Sequence, residues 1–365
     1  MPPPEEPGII WSIVRFLFIA PRFHTNLYGA VEGLVANGHQ VKFLVRKIGR
    51  NECHDQVTPC FSKKTFLSRI LQLQNILKTY RPEIIIIRGV SMENVISSYV
   101  SGHHTRKIIL YTQDPLYFSK KNYSRAVVRK ILLNTISRVR ITPVLGDMNE
   151  NSFCLPHEHF VPFAVKPPLS STQRSFSRNG QIRILCVGKL ALERKNHILV
   201  LKALQDLRSQ YPLRLSLVGS LSNEDNPYYN RIKDYIHQNA LDDIVTIKTN
   251  IPYRQCQEEY MNHDLFILPS CNEPAAVSHL EAMSYGLPVI CSDTNGTRSY
   301  IEENRNGFVF HSGSLQDLKD KIIRIISDMD VLMSMGRESV TIVKKKYLPQ
   351  RWHDEIFKII NQEWN

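Results

Sequence analysis

The sequence predicts an α/β protein built of two doubly wound domains that face a central cleft. Apolar strand patterns alternate with amphipathic helices before residue 166 and again after residue 181, and such alternation favours a parallel sheet with helices on both faces. Between the two series, residues 166–181 are rich in proline, serine and charge and have no periodicity, which is typical of a linker. The length of 365 residues also suits two domains better than one.

The first domain is predicted over residues 1–165. It opens with the buried strand RFLFIA, followed by a helix whose apolar residues recur at helical spacing and which would end at Gly38. Three further strands are predicted at VKFLV, EIIIIRGV and KIILYT, separated by helices over residues 66–80 and 92–100. In a sheet of this kind ligands bind at the carboxyl ends of the strands, so the loops at those ends should line the cleft.

The second domain is predicted over residues 182–348. Its strands are IRILCVG, LRLSLVG, IVTIK, LFILPS, PVICS and GFVF, with helices between them. A final helix over residues 352–362 is predicted after Pro349, which interrupts the preceding helical pattern.

Composition excludes several classes of protein. Hydrophobic residues make up 42% and charged residues 22%, and no apolar run reaches the roughly 18 residues of a membrane-spanning helix. The start MPPPEEPG lacks the basic region of a signal peptide. The 7 cysteines have no regular spacing, and Cys53 and Cys60, with His54 between them, lack a second ligand pair. These features predict a cytoplasmic protein with free thiols.

Positive charge is concentrated in the first domain. Residues 1–165 hold 21 of the 46 Lys and Arg residues but 11 of the 34 Asp and Glu residues, a net charge of +10. Residues 119–140 contain seven basic residues and no acid, with apolar residues every four positions. This pattern is typical of a helix at an anionic membrane surface, and equally of a helix packed on the sheet with a solvated basic face. Nucleic acid is not expected, because the sequence lacks aromatic-interleaved basic patches and zinc or helix-turn-helix spacing.

The stretch PSCNEPAAVSHLEAMSYGLPVICSDTNG at residues 269–296 holds two glutamates, Glu273 and Glu281, around an apolar run. On one helix they would lie about 12 Å apart, too far for an acid and base acting on one bond, which need about 10 Å or less. We expect Glu273 in a loop and Glu281 on a helix that starts near Pro274. The two carboxylates would then bind separate polyol groups of one ligand while the helix N-terminus faces an anion. A nucleotide sugar has this chemistry; a loop cap and a solvated helix residue are the alternative.

The same stretch resembles the family-4 retaining glycosyltransferases of the GT-B fold (glycosyl transferases group 1). The resemblance lies in Glu273, seven residues, Glu281, then Ala282-Met283, the run GLPVI at residues 286–290 and a later Asn306-Gly307. It extends to VGKLALERKNH, which is similar to the family loop that carries an Arg and, six positions on, a Lys. Lys195 matches that Lys, and Lys189 stands at the Arg position.

The resemblance implies roles for these residues. Glu273 would contact the donor sugar, Glu281 the ribose hydroxyls, and Lys189 with Lys195 the donor diphosphate, while backbone around residues 250–253 would recognise the base. The implied donor-binding set is Gly188, Lys189, Arg194, Lys195, Glu273, Ala275, Ala276, Val277 and Glu281. The implied catalytic set is Glu273, Lys195 and Asp114, with His24 and Asn26 facing the acceptor. His24 as a plain polar loop residue and Asp114 as a helix cap are equally good alternatives.

Two positions depart from the family pattern. Lys189 replaces a bidentate guanidinium by a point charge, and Ala275-Ala276 stands where the family has Phe-Gly. The resemblance implies metal-independent transfer, with lysines offsetting the charge of the leaving diphosphate. No tightly bound cofactor is expected.

The expected function is transfer of a hexose or hexosamine from a UDP- or GDP-sugar to a glycan or lipid-linked glycan, in surface polysaccharide biosynthesis. The alternatives are a nucleotide-sugar epimerase of the same fold and a non-catalytic nucleotide-sugar-binding subunit. The resemblance also implies that residues 349–365 pack back on the first domain, and that the enzyme works in the cytoplasm, at the inner face of the plasma membrane.

Overall fold

Two parallel sheets form the framework of the protein. The structure, a computed structural model, describes residues 12–48, 56–63, 65–102, 106–168 and 180–364. The predicted linker lies mostly outside these ranges, as do the residues of the signal-peptide prediction and most of those of the Cys53–Cys60 prediction. Among the described residues, one sheet has seven strands and the other six.

The strands follow the predicted series, with additions. Those of the first sheet and of a small antiparallel pair (β6 and β8) are β1 Arg15–Phe23, β2 Gln40–Ile48, β3 Cys60–Phe61, β4 Ile84–Arg88, β5 Lys107–Tyr111, β6 Phe118–Ser119, β7 Val139–Thr142, β8 Ser152–Phe153 and β9 Glu158–Phe160. Those of the second sheet are β10 Ile182–Val187, β11 Leu213–Gly219, β12 Val245–Thr249, β13 Leu265–Leu268, β14 Val289–Ser292 and β15 Gly307–Phe310. The strand order is β3-β2-β1-β4-β5-β7-β9 in the first sheet and β12-β11-β10-β13-β14-β15 in the second.

Helices cover both faces of each sheet. Their bounds are α1 Tyr28–Ala36, α2 Phe66–Thr79, α3 Met92–Val100, α4 Tyr123–Asn134, α5 His197–Leu207, α6 Pro227–Gln238, α7 Tyr253–Asn262, α8 Ser278–Ser284, α9 Leu315–Ile326, α10 Met329–Lys346 and α11 Pro349–Trp364. One face of the first sheet packs on α2, α3 and α4 through aliphatic side chains such as Ile85 and Leu133. The other face packs on α1 and α11.

The predicted basic helix over residues 119–140 is shorter in the structure. Helix α4 ends at Asn134, and Val139 begins strand β7. The Ser137 hydroxyl donates to the backbone oxygen of Ile108, which attaches the turn between α4 and β7 to strand β5. Four consecutive residues of β7 are buried, so this end of the segment belongs to the core of the sheet and cannot lie at a surface.

The C-terminal helix α11 lies on the first sheet although the preceding helices belong to the second. Gly33 of α1 makes this approach possible, because a Cβ there would lie 2.2 Å from the backbone oxygen of Pro349. Gly29 of the same helix allows a similar approach by Ala164, whose backbone oxygen would lie 1.9 Å from a Cβ. His39 and His353 stack and share a hydrogen bond of 3.0 Å between their Nε2 atoms. Burial and the neighbouring His353 lower the pKa of His39 to about 4, so its ring is neutral near pH 7.

The two sheets are joined by direct contacts as well as by the linker. The Tyr300 hydroxyl, from the second half of the chain, accepts the Phe163 N–H at 2.9 Å and donates to the backbone oxygen of Pro143 at 2.8 Å. Arg298 forms an ion pair with Asp147. These contacts hold the two sheets so that the carboxyl ends of their strands face the same cleft.

Candidate functional site

Three charged side chains meet at the carboxyl ends of β10 and β13. The Glu273 Oε2 atom accepts from Lys195 Nζ at 2.6 Å and from Arg194 Nη1 at 2.5 Å. Glu273 follows β13, and the two cations lie in the loop after β10. Neighbouring parallel strands end at the same edge of a sheet, which is why residues 79 positions apart in sequence come into contact here.

Burial and the two cations set the ionisation of this cluster. Burial alone would raise the pKa of Glu273, but Lys195 and Arg194 together hold it below its usual range. Burial lowers the pKa of Lys195, and the Glu273 carboxylate offsets part of that effect. A paired carboxylate of this kind remains ionised, and its free lone pairs can accept hydrogen bonds from hydroxyl groups.

The backbone holds Lys195 in place. A short 3-10 turn, Glu193–Lys195, is followed by Asn196 in the left-handed conformation at φ 53°, and α5 begins at the next residue. The stem of Lys195 lies over Gly188, where a Cβ would come within 3.3 Å of the lysine Cδ. Gly188 therefore leaves room for the lysine stem to cross the end of β10.

His24, in the first domain, lies close enough to this cluster for the charges of Lys189 and Lys195 to act on its imidazole. It follows β1, and its Nδ1 atom accepts the Asn26 N–H at 3.3 Å. Burial, together with the charges of Arg88, Arg22, Lys189 and Lys195, lowers the pKa of His24 to about 3. His24 therefore lies within the electrostatic influence of both lysines of the predicted site, and its imidazole is neutral near pH 7.

Hydrogen bonds from Gly296 and Thr297 hold the loop that follows Glu273, which is not helical. The helix expected from Pro274 begins instead at Ser278. The backbone oxygen of Glu273 accepts the Gly296 N–H at 2.8 Å, and the Thr297 hydroxyl donates to the backbone oxygen of Ala276 at 3.0 Å. These bonds hold the backbone of residues 273–276 in a non-helical loop, which is why the helix starts later. Ala276 and Val277 are buried, and Ala275 is partly exposed.

Glu281 lies in α8 and is buried. Its Oε1 atom accepts the Tyr253 hydroxyl and its Oε2 atom the Tyr260 hydroxyl, each at 2.9 Å. Burial raises the pKa of Glu281, and the two tyrosine hydroxyls offset part of this rise. Glu281 and Glu273 therefore have different surroundings, hydroxyl groups for one and cations for the other.

The structure does not bring Asp114 and Asn26 into the charged cluster. The Asp114 carboxylate pairs with Arg129 of α4 at 2.6 Å, and no helix begins at this aspartate, so the alternative of a helix cap is wrong. Asn26 is buried and lines a cavity with Phe18 and Trp352. Their roles toward an acceptor stay predictions.

Sequence reasoning missed the residues that support the site. Gly296 is one, since a Cβ there would lie 2.0 Å from the Pro274 oxygen. Tyr253 and Tyr260 are others. The turn sequence TNGT at residues 294–297 is a local signal that could have indicated the first of these. The tyrosine contacts with Glu281 span 28 and 21 positions and leave no local signal.

Exposed apolar side chains lie on α4. Tyr123, Val128, Ile131 and Leu132 are between 58% and 63% exposed, whereas Leu133 is buried against the sheet. Exposed apolar residues also occur on α2 and α3, which pack on the same face of the sheet: Phe66, Leu67, Leu71, Met92 and Tyr99. In the part of the chain that the structure describes, no helix is both long and apolar enough to cross a bilayer. Nor do three or more His, Cys, Asp or Glu side chains cluster there as a metal site would require.

Comparisons with known proteins give this geometry a context. Residues 170–339 match the family model of glycosyl transferases group 1. Spore coat protein SA of Bacillus subtilis (strain 168) is 28% identical over 185 residues, 50% of this chain and 49% of that protein, so the match spans about half of the relative's length. The capsular polysaccharide biosynthesis glycosyltransferase CapM of Staphylococcus aureus is 22% identical over 78% of this chain and 71% of its own.

A solved structure shows the fold. The crystal structure of Anabaena Alr3699/HepE in complex with UDP and glucose aligns with a TM-score of 0.70, covering 96% of this chain and 100% of that one at 16% identity. Together with the two parallel sheets, this likeness shows a GT-B fold of two Rossmann-like domains.

Proposed function

We propose, starting from the match of residues 170–339 to glycosyl transferases group 1, that this protein is a retaining glycosyltransferase. It would move a hexose or hexosamine from a nucleotide diphosphate sugar to a hydroxyl of a glycan or lipid-linked glycan, in the biosynthesis of a surface polysaccharide. The observation that carries the proposal is the buried contact of Glu273 with Lys195 and Arg194 at the carboxyl ends of β10 and β13.

The proposed chemistry uses charges already in place. When the bond between sugar and diphosphate breaks, negative charge builds on the leaving diphosphate and positive charge on the anomeric carbon. Lys189, Arg194 and Lys195 would bind the diphosphate, and Glu273, held ionised by its cations, would accept hydroxyl hydrogens of the sugar. Glu281 would accept the ribose hydroxyls, and the cations would make a metal unnecessary. Neutral His24 would contact the sugar or the acceptor.

Two findings on relatives support a nucleotide sugar as donor. The Anabaena structure contains UDP and glucose, and the Staphylococcus relative is named for capsular polysaccharide biosynthesis. A bound donor stabilises the folded protein, by about 2.7 kcal/mol at a hundred times its dissociation constant. We therefore expect one member of a panel of UDP-, GDP- and ADP-sugars to raise the thermal midpoint by several degrees.

The panel is measured on the wild type, Glu281→Ala and Lys195→Ala, with Lys202→Ala as control because Lys202 is exposed on the neighbouring helix α5. Both site variants should lose the shift while the control keeps it. A well-folded wild type that no nucleotide sugar stabilises would show that the proposed function is wrong.

We also propose that α4 contacts an anionic membrane, at the inner face of the plasma membrane, which would bring a lipid-linked acceptor to the cleft. Exposed Val128, Ile131 and Leu132 lie among basic residues in a domain of net charge +10. Apolar insertion and attraction to anionic lipids together are what a peripheral helix needs.

A vesicle assay tests the membrane contact. We expect the protein to co-sediment with vesicles containing anionic phosphatidylglycerol and much less with neutral phosphatidylcholine. The double variant Ile131→Glu, Leu132→Glu should reduce binding about tenfold or more, since it removes apolar area and adds negative charge. Met261→Glu, at an exposed apolar position in the second half of the chain, is the control. Equal binding by the double variant and the control would contradict the proposal.

A further inference from the structure

We propose that Tyr253 is a built-in competitor for the donor site. Its hydroxyl binds Glu281 Oε1, an atom of the same carboxylate that the proposed function assigns to the donor ribose. A donor hydroxyl that takes the tyrosine's place on Oε1 displaces this hydrogen bond, so Tyr253 lowers donor affinity and favours ligands whose own hydrogen bonds offset the loss. The inference rests on the proposed function.

Glu281 depends on hydroxyl donors for its stabilisation. It is buried, and within the described residues it has no salt bridge. Its two oxygens accept from Tyr253 and Tyr260. A buried carboxylate that lost such a bond would be strongly destabilised unless another donor took its place. The two hydroxyls of a ribose are donors of this kind, so one can replace a tyrosine hydroxyl directly.

The two tyrosines differ in their freedom to move. Tyr260 is fully buried and stacks on Tyr285 with ring centroids 5.6 Å apart. Tyr253 is the first residue of α7 and is partly exposed. A first-turn, partly exposed side chain can change rotamer more readily than a ring inside a close-packed core. Tyr253 is therefore the hydroxyl that leaves, and Tyr260 the one that stays to orient the carboxylate.

Tyr253 also contacts the other domain. Its ring packs edge to face against the ring of Tyr28 of α1, with centroids 5.7 Å apart and planes at 82°. Such a pair contributes beyond its buried area. Movement of Tyr253 away from Glu281 would therefore also change a contact with the first domain, so that binding of the nucleoside is coupled to the side of the cleft where the acceptor would bind.

Calorimetric titration with UDP, GDP and ADP tests the inference. The variants are Tyr253→Phe, which keeps the ring and its contact with Tyr28, and Tyr260→Phe, which is matched in chemistry. We expect Tyr253→Phe to bind the preferred nucleotide about three to ten times more tightly, because the competing hydrogen bond to a charged group is gone. Tyr260→Phe should bind it more weakly, because the carboxylate loses its fixed partner. The opposite signs are the signature of competition.

Other results overturn the inference. If both variants bind more weakly, the hydroxyls only orient Glu281; if Tyr253→Phe leaves affinity unchanged, Tyr253 does not compete. Lys195→Ala separates this inference from the proposed function. If the wild type binds a nucleotide and Lys195→Ala does not, the result supports the proposed donor site. The two tyrosine variants then decide only the role of Tyr253. A wild type that binds none of the three nucleotides overturns both.

Discussion

Lys195→Ala should lower the rate of glycosyl transfer by about 100- to 1000-fold, the effect of removing one fixed charge or donor from a developing negative charge. Lys195 is nearly buried, its stem lies over Gly188, and its ammonium is 2.6 Å from Glu273. The loss should appear in kcat as well as in KM, since Lys195 would bind the ground-state diphosphate and also offset the charge that grows as the sugar–phosphate bond breaks.

The measurement is the rate of donor consumption with the nucleotide sugar identified in the binding panel. Lys202→Ala, on the exposed side of α5, should stay within about twofold of the wild type. Retention of more than a tenth of wild-type kcat by a well-folded Lys195→Ala variant would show that the diphosphate is bound elsewhere.

A chain that ends at residue 348 should fail to form a folded first domain. Helix α11 buries five apolar side chains against it: Trp352, Ile356, Phe357, Ile359 and Ile360. Each is worth about 1.5–3 kcal/mol on burial, and together they equal the whole stability of about 5–15 kcal/mol of a typical protein. We expect insoluble protein, or soluble protein whose residues 12–168 are rapidly cleaved by protease.

Point variants give the same test in a folded chain. Ile356→Ala should lower the free energy of unfolding by about 2–5 kcal/mol in a urea titration, because it leaves a cavity between α11 and the sheet. Lys358→Ala, two residues away and exposed, should change it by less than about 0.5 kcal/mol. A stable, protease-resistant truncated chain would contradict the expectation.

Much of the fold follows from local patterns. The predicted helix over residues 92–100 is α3 Met92–Val100 in the structure, and the predicted helix over residues 66–80 is α2 Phe66–Thr79. Long apolar runs such as Ile84–Arg88 became central strands, since both faces of a parallel sheet are covered. Strand β7 was missed because its four residues follow a helical, basic segment with no Gly or Pro between them.

The candidate site was predictable only in part, for a physical reason. The positions of Glu273 before a helix and of Glu281 within it follow from local sequence. The ion pairs of Glu273 with Arg194 and Lys195, and the hydroxyl bonds to Glu281, join residues brought together by the sheet. The late start of α8 depends in the same way on Gly296 and Thr297, which lie beyond the next strand. Such contacts have no periodicity along the chain.

The position of α11 also has a consequence for synthesis. The first sheet is complete once residue 160 has left the ribosome, but the helix that covers one of its faces begins at Pro349. For nearly two hundred residues of translation, the α1 face of that sheet has an uncovered apolar surface, while the second sheet can form behind it. We therefore expect the nascent chain to complete its second domain before its first. During this interval a chaperone would bind the uncovered apolar surface.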